Sequence, residues 1–136
     1  MSTIAINEQP PRRLAPLCEK ITRSQVQVVI TAFYQKLRTH PELAPFFAHI
    51  DDFNEHEAHI ADFWWLAMGG RLAARPSFDM IRRHRPLNLT DAALAQWLAL
   101  FDATLQEYLA PELARQWLRM AQGIGVNLKR MLFSGA

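Results

Sequence analysis

Apolar side chains recur every three or four residues through four long segments of this sequence, and no segment alternates with period two for long enough to form a strand. The first segment opens at Thr22 and carries Val26, Val29, Ile30, Phe33 and Leu37 on one stripe, with Tyr34 at its edge. Thr22 and Gln25 have the spacing of a capping box, which would satisfy free N–H groups at a helix start. His40-Pro41 ends the segment, because a residue before proline avoids helical backbone, and Pro41 to Phe47 reads as a short helical turn. A polar link, His49 to Asn54, leads to the second segment. There His56, Ile60, Phe63, Trp64, Ala67 and Met68 share a face until Gly69-Gly70 stops the helix. Ser77 caps a short helix running to His84, which Pro86 prevents from continuing. Thr90-Asp91 caps the third long segment, with Leu94, Trp97, Leu98, Phe101, Leu105 and Tyr108 as its stripe. Pro111 starts the fourth, with Leu113, Trp117, Met120, Ala121, Ile124, Leu128 and Met131 on one face. Gly123 and Gly125 weaken that helix and would permit close packing. The fold class expected is all-α: four long helices, two short ones and no sheet.

A chain of 136 residues, half of them hydrophobic and 21% charged, suffices for one domain with one sizeable core. Residues 1 to 20, with Pro10, Pro11 and Pro16, read as a loosely ordered leader, and residues 21 to 136 as the domain. The net charge of +2 is small, so nucleic acid is a poor partner. No apolar run approaches the ~20 residues that span a bilayer, and no basic, apolar secretory signal opens the chain. With the single Cys18, this gives a cytoplasmic protein without a membrane as the expectation.

Five histidines raise the question of a metal. His56-x-x-His59 could bring two rings together as in a zinc site, but the chain has no Glu-x-x-His pair for a di-iron bundle, and Cys18 is remote in the leader. His40 and His49 fall in loops and read as solvated. Neither a phosphate-binding Gly-rich loop nor a Gly-x-Ser-x-Gly elbow occurs, so ordinary kinase and hydrolase chemistry has no support. Tyr34, His56 and Trp97 on apolar helix faces and His84 at a helix end remain. A haem iron needs an axial ligand, which a neutral imidazole supplies. Its other N–H needs an orienting acceptor, which a helix-end carbonyl offers. Spacing alone favours the plainer reading of each, with Tyr34 and Trp97 as core residues, His56 as a boundary histidine, and Arg82-Arg83-His84 as a charged helix end, and does not establish a haem site.

Taken in order, several stretches resemble the truncated haemoglobins, specifically their third group. They are Ala32-Phe33-Tyr34-Gln35-Lys36-Leu37-Arg38 with Pro41-Glu42-Leu43 and Phe46-Phe47, then His56-Glu57-Ala58-His59-Ile60-Ala61-Asp62-Phe63-Trp64. Ile81-Arg82-Arg83-His84-Arg85-Pro86-Leu87 and Trp97-Leu98-Ala99-Leu100-Phe101 complete the set. The similarity covers about residues 22 to 132. Before the proximal helix, Leu72-Ala73-Ala74-Arg75-Pro76 keeps only the proline of the family's Tyr-x-Gly-x-Pro run.

The resemblance implies a compact, globin-like helical sandwich that binds haem b, with His84 as the proximal iron ligand. It implies that Tyr34 and Trp97 line the distal ligand pocket and that His56 is the distal histidine. Phe33, Ile60, Phe63 and Trp64 would pack on the porphyrin, and Arg83 or Arg82 would pair with a propionate. The function implied is reversible binding of oxygen or another diatomic ligand. Nitric oxide or peroxide detoxification with a reductase as partner is the enzymatic alternative, and a haem-free helical interaction module the third.

Overall fold

Thr22 and Gln25 close the capping box in both directions. The Thr22 hydroxyl accepts from the Gln25 backbone N–H at 3.1 Å, and the Gln25 side chain accepts from the Thr22 N–H at 2.8 Å. This starts α1, Arg23–Thr39, in a computed structural model that describes residues 15–73 and 89–133. The expected short helix from Ser77 to His84, with Arg82, Arg83 and Pro86, lies outside the described residues, as does the leader up to residue 14. Asp52 caps α2, Phe53–Ala67, by accepting from the Glu55 N–H, and Thr90 caps α3, Asp91–Tyr108, by accepting from the Ala93 N–H. Pro111 opens α4, Pro111–Phe133. Short 3-10 turns occupy Leu17–Glu19 and Ala44–Phe47. The chain is all-helical, with no strand among the described residues. Among the same residues no helix is long and apolar enough to cross a membrane.

The helices form two antiparallel pairs. Arg23 at the start of α1 meets Asp62 late in α2 at 2.6 Å, whereas Tyr34 further along α1 meets His56 early in α2. In the other pair, Asp91 at the start of α3 meets Lys129 near the end of α4 at 3.0 Å, and the rings of Phe101 and Trp117 meet in between. The pairs join through aromatic rings. Phe101 has its centroid 4.8 Å from that of Phe33 on α1, stacks on Trp64 of α2 at 5.9 Å, and meets Trp117 of α4 edge-on at 5.5 Å. A ring that touches three other helices fixes their mutual placement. No small side chain could fill the same space.

The stripe of α1 is buried as its spacing predicts, with Val26, Val29, Ile30, Phe33 and Leu37 all at most 1% exposed. On α2 the buried line differs from the expected one. It runs through Glu57, Ala61, Trp64 and Met68, while Ala67 is exposed and His56, Ile60 and Phe63 are half-buried beside it. Hydropathy cannot find such a line, because a carboxylate begins it. Two expected stripe ends are also solvent-facing: Tyr108 on α3 and Met131 on α4 are 48% and 55% exposed.

Three local features complete the frame. Gly69, at φ +97°, turns the chain out of α2 as a left-handed residue. Gly70 lies so close to the Trp65 ring that no side chain would fit, and the Trp65 indole donates to the Arg71 carbonyl at 3.2 Å. The last part of the proline-rich leader is more structured than expected: Leu17 and Ile21 are buried, and the Cys18 N–H donates to the Met68 carbonyl at 3.2 Å. His40 is not merely solvated either. Its Nδ1 accepts from the backbone N–H groups of Glu42 and Leu43, both at 3.2 Å, closing the turn that Pro41 begins.

Candidate functional site

Between the two helix pairs lies an apolar cavity of about 130 Å³. Tyr34, Ile60, Phe63 and Trp64 line it from the first pair, and Leu43, Phe46 and Phe47 from the segment between α1 and α2. Ala93, Leu94 and Trp97 of α3 and Ala121, Ile124, Gly125 and Leu128 of α4 close the other side, with Leu89 at the entry to α3. The wall is almost wholly aliphatic and aromatic. Among the described residues, the polar side-chain groups that line it are the Tyr34 phenol and the indole N–H groups of Trp64 and Trp97.

The Tyr34 hydroxyl lies 3.0 Å from Nε2 of His56, and the two rings meet edge to face at 5.2 Å. Phe47 and Phe53 add further edge contacts to the phenol. Tyr34 is only 6% exposed. Burial pushes the phenol above its ordinary range, and the Glu57 charge adds to the effect. It therefore stays protonated, as a hydrogen-bond donor, at any physiological pH. Trp97 stacks on Phe101 at 5.2 Å and meets Phe33 edge-on at 5.0 Å, which holds the indole at the cavity wall.

Of the residues singled out in the sequence, Tyr34, Ile60, Phe63, Trp64 and Trp97 come together around the cavity. His56 reaches it through the Tyr34 hydroxyl rather than lining it. Phe33 stands one layer behind, packed against Trp97 and Phe101. Arg83 and His84 lie outside the described residues. The close packing expected at two glycines is absent: a Cβ on Gly123 would meet nothing within 4 Å, and one on Gly125 would make ordinary contact with Leu94 at 3.7 Å. Among the described residues no three His, Cys, Asp or Glu side chains are grouped to hold a metal ion.

Sequence reasoning missed Glu57, which is 5% exposed in the seam between α1 and α2. Burial raises its carboxyl above the usual carboxylate range, while a hydrogen bond from Thr31 and the Arg38 charge pull the other way. The available signal was its register, four residues before Ala61 and seven before Trp64, which a hydropathy reading overlooks because the residue is acidic. The cavity-facing Leu43, Phe46 and Phe47 were visible in the sequence as part of a turn and of the family resemblance, but not as lining of a pocket.

Two antiparallel helix pairs with an apolar cavity between them, lined by a phenol from one pair and an indole from the other, are the architecture of a small globin. The chain belongs to the bacterial-like globin family, whose sequence profile matches residues 17–124. It is 25% identical over 123 residues to a group 3 truncated haemoglobin of Campylobacter jejuni, covering 85% of this chain and 94% of that protein. The crystal structure of the group III truncated haemoglobin from Campylobacter jejuni superposes with a TM-score of 0.75 at 24% identity, over 85% of this chain and 94% of that one. The 2/2 haemoglobin of Synechococcus sp. PCC 7002, in the cyanomet state with covalently attached haem, gives the same TM-score and identity over 88% of this chain and 99% of its own. The likeness to the third group of truncated haemoglobins, carried in the sequence by scattered residues, extends to the fold.

Proposed function

We propose that this globin binds one b-type haem in the cavity and takes oxygen, or another diatomic ligand, on the side of Tyr34 and Trp97. The observation that carries the reading is the cavity itself, apolar and ring-lined, with a protonated phenol at one wall. Ring-lined apolar space suits a flat porphyrin, and a wall with so few polar groups would be costly to keep wet. When bound, the haem would supply an iron able to take a neutral imidazole and a small diatomic molecule as ligands.

His84 is the residue assigned to the iron, from its match to the family's proximal histidine. Ile60, Phe63 and Trp64 pack on the porphyrin, and Arg83 pairs with a propionate. The Tyr34 hydroxyl and the Trp97 indole N–H are donors facing a ligand that gains negative charge on binding. Two donors in a dry pocket slow the departure of such a ligand, which suits sensing, scavenging or redox work better than bulk transport.

The test is a spectrum of the purified protein after haem addition. A Soret band that His84→Ala abolishes or greatly weakens, and Tyr34→Phe leaves in place, is the expected result. A protein with no Soret band overturns the reading and leaves a helical interaction module.

A further inference from the structure

Glu57 takes no part in the ligand-binding role proposed above, yet it is a buried carboxylate one residue from the histidine that holds Tyr34. Buried acidic groups are rare unless they are partnered, and the partner defines what they do. From α1, Thr31 donates its hydroxyl to the carboxylate while accepting from Gln27 Nε2 at 3.2 Å. Tyr34 and Arg38 are the titratable and charged groups of α1 within electrostatic reach, and the Arg38 guanidinium is seated 4.1 Å over the Phe53 ring. On α2 itself His56 precedes Glu57 and His59 follows it, and the Arg23–Asp62 pair closes the far end of the seam.

Thr31, Tyr34 and Arg38 are spaced i, i+3 and i+7, so they share one face of α1. The Thr31–Glu57 and Tyr34–His56 contacts are therefore consecutive rungs between antiparallel helices. A shift of α2 that broke one would break the other.

The Tyr34–His56 hydrogen bond has two forms with different consequences for the cavity. If Nε2 accepts, the phenol gives its one proton to the imidazole and has none for a ligand. If Nε2 carries a proton and donates, the phenol oxygen accepts and its O–H is free to point into the cavity. The Glu57 charge reaches the Tyr34 phenol, and Nε2 of His56 lies 3.0 Å from that oxygen; a negative charge there favours the second form, because it stabilises positive charge and protonation on the imidazole.

We propose that Glu57 is a positioning residue of the ligand pocket. Its Thr31-held carboxylate fixes the rung on which Tyr34 and His56 meet, and biases that pair toward the form in which His56 donates and the Tyr34 proton is free. The effect on ligand release rests on the haem reading. The effect on the Tyr34–His56 pair does not.

Two variants and two readouts test this. Glu57→Gln keeps the size and an oxygen for Thr31 but removes the charge. Arg38→Gln, at an exposed position, removes the opposing positive charge without touching the core. The first readout is nitrogen NMR of the His56 side chain against pH. The midpoint of imidazole protonation is expected to fall by roughly one pH unit in Glu57→Gln and to rise in Arg38→Gln. The second is oxygen dissociation from the haem-loaded protein, expected to be roughly fivefold faster in Glu57→Gln, as for the loss of one ordinary hydrogen bond, and slower in Arg38→Gln. An unmoved His56 titration in both variants overturns the proposal, even if dissociation changes, since that is what a purely structural brace would give. A wild-type chain without a Soret band removes the haem reading alone, and the histidine titration still decides the role of Glu57.

Discussion

The hydroxyl of Tyr34 and Nε2 of His56, 3.0 Å apart, tie α1 to α2 at the wall of the cavity. This single hydrogen bond couples the placement of two helices to the polarity of a pocket that is otherwise apolar. Replacing Tyr34 by Phe keeps the ring and its edge contacts but removes the donor. Oxygen dissociation from the haem-loaded variant, measured by stopped flow, is expected to be about tenfold faster than in the parent, as for the loss of a hydrogen bond to a developing charge. An unchanged rate would exclude Tyr34 as a donor. The same change leaves His56 without this partner and should cost ~1 kcal/mol in urea unfolding.

Phe101 is fully buried and its ring meets Phe33, Trp64, Trp97 and Trp117, which lie on the three other long helices and its own. Phe101→Ala should therefore destabilise the fold by about 3–5 kcal/mol, the range for truncating a core phenylalanine. A calorimetric Tm lower by roughly 10–20 °C checks it, and a loss below ~1 kcal/mol would mean that the helix pairs are held elsewhere.

Gly70 and Gly123 are expected to respond oppositely to alanine. At Gly70 an added Cβ falls inside the Trp65 ring, so Gly70→Ala must displace the indole from the Arg71 carbonyl and cost roughly 1–3 kcal/mol. At Gly123, in the interior of α4, a Cβ meets nothing. Gly123→Ala should stabilise by about 0.5–1 kcal/mol through helix propensity. Paired thermal melts decide between these signs.

The buried Glu57 carboxyl gives stability a dependence on pH whose sign follows from its direction of shift. Its folded pKa is raised from 4.5, so the folded state holds this proton more tightly than the unfolded chain does. The resulting stability is fully present below the unfolded value and is lost as pH rises through the folded one. Relative to Glu57→Gln, the parent protein should lose stability over the window that opens near 4.5 and closes above the folded pKa. Urea unfolding of both proteins in half-unit pH steps measures the difference, and a flat difference across that window would refute it.

Features that need only neighbours along the chain were legible in the sequence. The Thr22–Gln25 box, the stripe of α1, the Thr90 cap, the stop at Gly69 and the start at Pro111 each depend on interactions spanning a few residues. The composition and spacing of one helix therefore suffice to specify them, and the all-α class follows. The aromatic residues of the pocket were also recognisable, as a resemblance in their order. Only the tertiary structure decided which side of α2 is buried, because that depends on how α1 crosses it and not on the hydropathy of α2. The antiparallel seam admits Glu57, since Thr31 and Arg38 across the gap compensate a charge that would be expelled from an apolar face. It turns His56 toward Tyr34 for the same reason, and no property of either residue alone contains that 3.0 Å contact. Local periodicity thus set the helices, and the crossing of helices set the site.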